Sequence, residues 1–354
     1  MVEISNIRIV GAGLIGTSLG LALKQIGYEI DFQDVDLEAE SLARDLVGAG
    51  SHTSPDLIVL ATPVSAVFDL LTALYLANPQ ALFIDITGIK SEVMQQVEEF
   101  PEIAARFCAT HPMAGREFTG PTAAQSDLFT GRAWIVLPNR NTSEELLDWL
   151  KGMILSLGAT PYEMKARDHD QAIAAISQLP QVISSTLGVM LEEFDTQALS
   201  LAGGGLRDLT RLAGSSGEIW SDLLRGNRAF LVPLLEEFQR NLATFTASLN
   251  RQDDKEIKDY FSRANSGRAR ISGKHGAQMR DYTYLPIVID DRPGQLAALF
   301  DACAAVAVNV EDLAIEHSPG QETGLITLAL SDSDAEKLHR YLLDQGWGAH
   351  HPRK

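Results

Sequence analysis

The chain has 354 residues, enough for two or three domains that each bury a core of their own. Hydrophobic residues make up 45% of the chain and charged residues 21%, which is ordinary for a folded globular protein and excludes an extensively disordered one. The formal net charge of −18 argues against a nucleic-acid partner, because there is no excess of Lys and Arg to neutralise phosphates.

The sequence carries no evident signal for membrane insertion or secretion. No apolar run is expected to reach the roughly 18 residues of a membrane span, and the first residues enter a strand-like pattern without a basic, cleavable leader. We therefore expect a cytoplasmic protein with no membrane partner. The only two cysteines, Cys108 and Cys303, both lie in apolar surroundings, so neither a disulfide framework nor a metal site is expected.

The first 164 residues alternate short apolar runs with stretches of helical periodicity. Predicted buried strands fall at residues 7–10, 29–33, 57–60, 82–85 and 134–137. Strands that alternate with helices are typical of a parallel, doubly wound α/β sheet. We therefore predict a Rossmann-type domain over residues 1–164.

Beyond residue 165 the strand signal disappears and long amphipathic helices replace it, for example at residues 168–176, 182–194 and 226–249. We predict an all-α second domain over residues 165–280. A stretch rich in Gly and Arg, residues 262–276, is predicted to be the connector at its end.

The last segment, residues 281–354, predicts a third domain. Strand patterns occur at residues 283–290, 309–318 and 323–330, and helical patterns at residues 293–306 and 333–345. With a short strand in the tail, the element order is βαββαβ, which is typical of a ferredoxin-like fold.

A glycine-rich turn, GAGLIG, directly follows the first predicted strand and opens the first helix. Gly11, Gly13 and Gly16 allow a tight turn, a close approach of the backbone to a pyrophosphate, and close packing of helix on strand. Leu14 and Ile15 lie in the first turn of the helix, whose N-terminus attracts phosphate. We predict a dinucleotide site; the alternative is a tight turn that binds nothing.

An acidic residue ends the second predicted strand, where it can accept hydrogen bonds from an adenosine ribose. A carboxylate at Asp34 would repel a 2′-phosphate, which favours NAD over NADP as the cofactor. Asp36 is close enough to be the partner instead, and a solvated turn is the functionless alternative. Thr62, Pro63 and Thr87 follow two further strands, at the edge of the sheet where ligands bind, and complete the predicted cofactor site.

His111 is the candidate acid–base residue. It follows an apolar run at residues 106–110, where the sheet domain is expected to face the helical domain. A neutral imidazole there could accept a hydroxyl proton while hydride leaves the same carbon, since its ordinary pKa is about 6.5. One histidine among eight is by itself more often structural, so the interpretation depends on its surroundings.

The run HPMAGREFTG at residues 111–120, continuing to AQSDLFTG at residues 124–131, resembles the signature of the prephenate and arogenate dehydrogenases. GGGLRDLTRLA at residues 203–213 and the tryptophan of EIW resemble the same family. The likeness extends from the GAGLIG turn to the GRARISGKHG connector. It implies a homodimeric, NAD-dependent enzyme that oxidatively decarboxylates prephenate to 4-hydroxyphenylpyruvate in tyrosine biosynthesis.

The resemblance also implies roles for individual residues. His111 matches the histidine that bonds the ring hydroxyl and promotes hydride transfer. Arg211 matches an arginine that grips a substrate carboxylate, a role that suits the planar guanidinium fork. Arg207, Gly204 and Trp220 match positions lining the same pocket. The alternative for Arg211 is an ion pair with Asp208 on the helix surface.

Three departures from the family pattern concern which substrate side chain the site would recognise. Members commonly carry a serine in a GSVK motif that supports the catalytic histidine; here the run is TGIK, with Gly88 at that position, and Thr87 is the candidate replacement for the hydroxyl. Many members carry SHLPH where this chain reads SQLPQ, so Gln181 can bond substrate but cannot carry charge. Arg116 could restore a positive charge toward a pyruvyl carboxylate. Prephenate and arogenate, which differ at that side chain, both remain open.

The DRPGQL turn at residues 291–296 resembles the DxPGxL turn of ACT domains, which bind amino acids. Gly294 would avoid a Cβ where an effector comes close, and Asn309, expected at the start of the second strand, is a further candidate contact. The resemblance implies feedback by an amino acid, for which the end product tyrosine is the natural hypothesis. The alternative is a purely dimerising module.

Three other interpretations stay open from the sequence. An arogenate dehydrogenase would share the fold and the hydride chemistry. A non-catalytic sensor would bind NAD and an amino acid without turnover, although it would not need His111 and Arg211 in these contexts. A hydroxyacid dehydrogenase of the 6-phosphogluconate type would require a catalytic lysine motif in the helical domain, and none is evident.

Overall fold

The computed structural model describes residues 4–51, 54–115, 119–271, 282–317 and 323–354. The chain divides into two compact units, Met1–Thr246 and Ala247–Lys354. The first unit contains the large sheet and most of the helices that follow it. The second contains a smaller sheet. The finer division at residues 164 and 280 stays a prediction.

A seven-stranded sheet with the order β2-β1-β3-β4-β5-β6-β7 forms the N-terminal part. Its strands are β1 (Asn6–Val10), β2 (Glu29–Gln33), β3 (Leu57–Leu60), β4 (Leu82–Asp85), β5 (Phe107–Pro112), β6 (Ala133–Leu137) and β7 (Thr160–Glu163). Its helices are α1 (Leu14–Gln25), α2 (Leu37–Val47), α3 (Val67–Ala77), α4 (Ser91–Glu98), α5 (Pro101–Ala104) and α6 (Glu144–Ser156), with short 3-10 turns at Val64–Ala66 and Pro121–Ala123.

The centre of this sheet is buried on both faces. All residues of β3 and β4 are buried, which explains why these strands are continuous apolar runs rather than alternating ones. Two clusters of buried apolar side chains lie on the sheet, one including Leu19 and Ile30 and the other including Leu71 and Phe107. The predicted Rossmann-type sheet is therefore confirmed.

The sheet is parallel, as predicted, except at one pairing. β6 runs antiparallel to β5, with His111 opposite Ile135, whereas the other neighbouring strands are parallel. Among the described residues, only a 3-10 turn at Pro121–Ala123 lies between β5 and β6, so no crossover helix carries the chain back to the starting edge. β7 was also missed, because its sequence TPYE is short, polar and mostly exposed.

Helices dominate the chain from residue 166 to residue 268, as predicted. They are α7 (Ala166–Ile173), α8 (Leu179–Met190), α9 (Thr196–Leu199), α10 (Gly204–Thr210), α11 (Gly217–Gly226), α12 (Arg228–Asn250) and α13 (Asp254–Arg268). A π-helical turn, Ala174–Gln178, joins α7 to α8, and a 3-10 turn, Arg211–Gly214, follows α10. The predicted connector at residues 262–276 begins later than expected, since α13 continues to Arg268; residues 272–276 lie outside the described ranges.

The stretch Ala166–Glu193 is the one described helix that is long and apolar enough, by length and composition, to cross a membrane. The expectation that no segment reaches this length is therefore wrong. The stretch includes His169, Asp170 and Gln178, which are buried and hydrogen-bonded to neighbouring side chains. Only 28% of its apolar window is buried, which leaves much apolar surface exposed. We interpret it as a helix packed on the rest of the first unit, with an apolar side available to a partner.

The second unit contains a four-stranded antiparallel sheet with the order β11-β8-β10-β9. Its elements are β8 (Thr283–Asp290), α14 (Gln295–Ala305), β9 (Asp312–His317), β10 (Thr323–Leu330), α15 (Asp332–Asp344) and β11 (Gly348–Ala349). The βαββαβ order agrees with the sequence prediction, and a separate apolar core including Leu285, Leu299 and Leu338 lies in this sheet and its helices. Asn309 precedes β9 rather than starting it, and its side chain donates to Glu311.

Candidate active site

The glycine-rich turn between β1 and α1 has the geometry of a dinucleotide cradle. Gly11 has φ of +111°, and a Cβ there would lie 2.3 Å from the Ala61 carbonyl oxygen; at Gly16 it would lie 2.1 Å from the Gly11 carbonyl oxygen. Both positions therefore require glycine. At Gly13, by contrast, nothing lies within 4 Å of that point. The open space is next to the first turn of α1, at Leu14 and Ile15, whose amides have no acceptor within their own helix. A pyrophosphate fits this cradle.

The two acidic residues after β2 have different tasks. Asp34 accepts hydrogen bonds from the backbone amides of Ala12 and Asp36, so its carboxylate lies against the glycine-rich turn. Asp36 is the N-cap of α2, where one oxygen accepts from the amides of Glu38 and Ala39. The geometry favours Asp34 over Asp36 as the ribose partner. The contact with ribose itself stays a prediction.

Thr62 and Pro63 follow β3, next to the glycine-rich turn. The hydroxyl oxygen of Thr62 is buried and has no hydrogen-bond partner in the described structure. Such an atom is normally satisfied, so it fits a ligand group that arrives with the cofactor. These two residues remain candidates for binding the cofactor.

Thr87 does not supply the hydroxyl that was expected to replace the family serine. Its oxygen donates to the Asp85 carboxylate and accepts from the Lys90 ammonium, 3.0 Å away. Lys90 and Asp85 form an ion pair, and both are fully buried. Thr87 therefore belongs to a buried polar cluster beneath the site, which corrects its assignment as a partner of the catalytic histidine.

His111 lies near the end of β5 and is held by a second histidine. Its Nδ1 is 2.9 Å from Nε2 of His169, on α7. Nδ1 of His169 is in turn 2.8 Å from the Asp170 carboxylate, which also accepts from the backbone amides of Lys90 and Ser91 at 2.9 and 2.7 Å. The sheet and the helical region thus meet in a chain of hydrogen bonds that ends on His111.

The chain of hydrogen bonds determines which nitrogen of His111 is the base. An ionised Asp170 only accepts, so Nδ1 of His169 donates to it and, in the neutral ring, Nε2 of His169 accepts. Nδ1 of His111 must then carry the proton and donate to His169. This leaves the lone pair on Nε2 of His111, on the opposite side of its ring. An orienting partner on one nitrogen that exposes the other as base is a recurring catalytic arrangement.

The surroundings keep His111 neutral. Burial lowers its pKa well below 6.5, and the nearby His169 and Lys90 lower it further. Burial tends to raise the pKa of Asp170, but hydrogen bonds from His169, Ser91 and Lys90 outweigh it, so the pKa of Asp170 is lowered and its charge retained. A neutral base that an ionised carboxylate orients through a second histidine can accept a proton at neutral pH.

Gly88 borders the free nitrogen of His111. A Cβ at this position would lie 3.8 Å from His111 Nε2 and 3.1 Å from Cδ2 of Leu223. The placement agrees with the sequence-based alignment of Gly88 with the family serine. Here no side chain extends toward the imidazole from this position, and His169 orients the ring from its other side.

Two glutamines at the start of α8 contact the rest of the helical region. Gln178, in the π-helical turn just before α8, is fully buried and accepts a hydrogen bond from Asn227 at 2.8 Å. One turn later, the Gln181 amide donates to the Leu212 carbonyl at 2.8 Å. The amide nitrogen of Gln181 is thereby used to hold the Arg211–Gly214 turn, so any substrate contact would have to involve its oxygen. Convergence of Arg211 on His111 stays a prediction.

The other predicted substrate residues lie on α10 and α11. Gly204 begins α10, and Arg207 is exposed in its last turn. Trp220 is half-buried on α11, three residues before the leucine that contacts the Gly88 position. Arg116 lies outside the described residues. Among the described residues no cluster of His, Cys, Asp and Glu has the geometry of a metal site.

Sequence reasoning missed His169 and Asp170, and the buried Asn227 that donates to the Asp170 carbonyl at 2.9 Å. The signal was weak but present. RDHDQA starts an amphipathic helix, and two adjacent titratable residues on what becomes its buried side need partners. Nothing in the local pattern identifies His111, 58 residues earlier, as that partner.

Two family profiles match the chain. The profile described as the nucleotide-binding domain of prephenate dehydrogenase matches residues 19–163, and the one described as its dimerization domain matches residues 165–263. The probable prephenate dehydrogenase NovF of Streptomyces niveus is 30% identical over 96% of this chain and 98% of its own length.

Solved structures agree with these matches. Prephenate dehydrogenase from A. aeolicus, crystallised with hydroxyphenyl propionate and NAD+, is 25% identical with a TM-score of 0.69, covering 76% of this chain and 99% of that one. Synechocystis arogenate dehydrogenase is 26% identical with a TM-score of 0.62, covering 74% and 98%. The fold and site define an NAD-dependent oxidoreductase. The chain belongs to the prephenate dehydrogenase family.

Proposed function

We propose that this protein is a prephenate dehydrogenase that converts prephenate, with NAD, into 4-hydroxyphenylpyruvate and carbon dioxide. The observation that carries the proposal is the chain from Asp170 through His169 to His111, which orients a neutral imidazole with its Nε2 on the side of Gly88. When bound, NAD supplies the nicotinamide that accepts hydride. Neither a metal nor a covalent nucleophile is required.

His111 would accept the proton of the ring hydroxyl as hydride leaves the carbon that bears it. Loss of carbon dioxide from the opposite ring carbon then supplies the electron pair that completes the aromatic ring. The gain of aromaticity drives much of the reaction, so the side chains mainly orient the substrate and hold one proton. The proton taken by Nε2 is stabilised through His169 by the Asp170 carboxylate.

Arg211 is proposed to bind the ring carboxylate of the substrate as a bidentate ion pair. Arg207, Gly204 and Trp220 would line the same pocket, with Arg116 and Gln181 toward the side chain. Arg211→Gln should raise KM for prephenate while leaving the affinity for NAD unchanged, since it removes a substrate contact only. Arg225→Gln, on the exposed part of α11, is the control. Equal losses of NAD and substrate binding would instead indicate damage to the fold.

Arogenate dehydrogenase is the second candidate, favoured by the uncharged Gln181 and by the similarity to the Synechocystis enzyme. Prephenate and arogenate differ only in carrying a keto or an amino group on the side chain. NADH formation with each purified substrate decides between them. We expect the higher kcat/KM with prephenate; an equal or higher value with arogenate would replace our first choice.

The C-terminal βαββαβ module is proposed to be an ACT domain that binds an amino acid, with tyrosine, the end product of the pathway, as the effector. Support comes from the order β11-β8-β10-β9 and from the turn before α14. Gly294 in that turn has φ of +91°, and a Cβ there would meet nothing within 4 Å. Asn309, in the loop before β9, is the second proposed contact.

A cytoplasmic homodimer is the proposed assembly. The helical region leaves large apolar side chains exposed, among them Ile176, Val189 and Leu209, and the matching family profile is described as a dimerization domain. A second copy of this chain would cover them. Val189→Glu should shift the mass in solution toward monomer, whereas Leu46→Glu, at an exposed leucine of α2, should not. An unchanged mass for Val189→Glu would contradict this interface.

A further inference from the structure

Helix α11 reaches the loop that follows β3 through one carboxylate. Asp222 accepts a hydrogen bond from the backbone amide of Ser65 at 3.2 Å. Ser65 is in the 3-10 turn Val64–Ala66 that leads into α3, and neither this turn nor α3 has a capping side chain of its own. Asp222 therefore acts as a cap, supplied from another part of the chain, for this turn. The turn follows β3 at the edge of the sheet where the cofactor is expected to bind.

The segment that Asp222 caps adjoins the dinucleotide cradle. Ala61, three residues before that turn, is the residue whose carbonyl oxygen a Cβ on Gly11 would strike. Thr62, next in sequence, carries the buried hydroxyl without a partner. The position of this loop therefore determines where a cofactor group can lie between the glycine-rich turn and the catalytic histidine.

The same helix also adjoins the catalytic histidine. Leu223, next to Asp222, packs beside Gly88 and so beside the free nitrogen of His111. At the end of α11, Asn227 donates to the Asp170 carbonyl and to Gln178. One short helix thus contacts the cofactor loop on one side and the hydrogen-bonded histidine pair on the other.

We propose that Asp222 is a positioning residue, which fixes the cofactor loop relative to His111 by capping the turn at Ser65. The proposal rests on the function given above for the site. It assigns the carboxylate a role as a hydrogen-bond acceptor rather than as half of an ion pair. Its pairing with Arg225 at 2.9 Å is on the surface, where the arginine is 72% exposed, and such pairs contribute little.

Three variants of the full chain separate these roles. Asp222→Ala removes the acceptor, Asp222→Asn keeps an acceptor oxygen without charge, and Arg225→Ala removes the ion pair but keeps the cap. NAD affinity is measured by titration without substrate, and kcat and KM for prephenate are measured at saturating NAD. We expect Asp222→Ala to weaken NAD binding and lower kcat, each roughly five- to tenfold, as loss of a helix cap would. KM for prephenate should change by less than about twofold.

Asp222→Asn and Arg225→Ala should stay within about twofold of the parent in every parameter. The proposal is overturned if Asp222→Ala behaves as the parent, if Asp222→Asn loses as much as Asp222→Ala, or if Arg225→Ala reproduces the defect. Should Asp222→Ala fail to fold, Asp222→Ser gives the same comparison, because its hydroxyl is too short to reach Ser65. The NAD titration needs no turnover, so it remains decisive even if prephenate proves not to be the substrate.

Discussion

At the scale of single residues, the central feature is the direction of one imidazole. His111 was identified from its motif, but the atom that acts as base follows only from the partner on its other nitrogen. Because Asp170 fixes the tautomer of His169, and His169 that of His111, the geometry makes Nε2 the acceptor. Gly88 adjoins that nitrogen and adds no side chain beside it.

The pH dependence of kcat/KM should report the low pKa of His111. The imidazole must be neutral to accept a proton, and burial beside His169 and Lys90 lowers its pKa well below 6.5. Activity should therefore be constant on the acidic side of neutrality and fall only as pH drops through that lowered pKa. A prephenate pH–rate profile measures it, and an acid limb at or above about 6.5 would contradict the assignment.

Replacing His169 by Asn should affect both rate and pKa. Without a matched acceptor for Nδ1, the tautomer of His111 is no longer fixed, and kcat should fall on the order of 10- to 100-fold with KM little changed. His169 also lowers the pKa of His111, so the acid limb should move to higher pH. His339→Asn, which alters a histidine pair in the C-terminal module, is the control. If kcat falls but the acid limb of the pH–rate profile stays at the same pH, His169 only packs against His111 and does not set its pKa.

At the scale of elements, helices of the sheet domain are capped by carboxylates from the helical region. Lys90 at the start of α4 provides no capping side chain, and Asp170 bonds the first two amides there. In the same way, Asp222 accepts a hydrogen bond from the backbone amide of Ser65, in the turn before α3. The contacts between sheet and helices are therefore built into the helix ends that adjoin the site, so that folding and alignment of the site are coupled.

Asp170→Asn should lower the free energy of unfolding by about 2 to 3 kcal/mol. The amide replaces one acceptor oxygen with a donor, so a buried, charge-assisted hydrogen bond is lost at α4 or at His169. Urea unfolding measures the change. Asp36→Asn is the matched control, because Asn caps a helix as well as Asp does and α2 begins at the surface. Equal stabilities of the two variants would contradict the capping role of Asp170.

The local sequence pattern predicted most helices and strands, but not which strands pair or in which direction. β2, β3 and β4 were predicted residue for residue because continuous apolar runs between turns leave little choice, and β8 and β10 likewise. The antiparallel pairing of β5 with β6, and the polar edge strand β7, depend on tertiary context. The same holds for the site: His111 has a motif, whereas His169 becomes functional only when α7 packs on β5.

At the scale of the whole molecule, the chain combines a catalytic unit with a separate βαββαβ module. The two units have their own cores, and the module lies in the unit Ala247–Lys354. Similarity to NovF covers 96% of the chain and so includes most of this module. Regulation by a ligand of the module is therefore expected to be separable from catalysis.

Tyrosine should inhibit the full chain but not a version ending at residue 280. The truncated chain keeps the sheet and the helices of the site, so its turnover of prephenate without tyrosine should stay within a few-fold of the parent. Initial rates at increasing tyrosine measure the effect, with phenylalanine as the control ligand. A full chain that is insensitive to tyrosine would remove the feedback hypothesis without affecting the catalytic one.

The role of His111 as the base is tested by NADH formation from prephenate with the parent chain and with His111→Asn, measured under identical conditions together with NAD affinity. Loss of a general base with intact binding predicts a fall in kcat on the order of 10²- to 10⁴-fold, with NAD affinity unchanged. A His111→Asn variant that keeps kcat and only raises KM would contradict the role given to this imidazole.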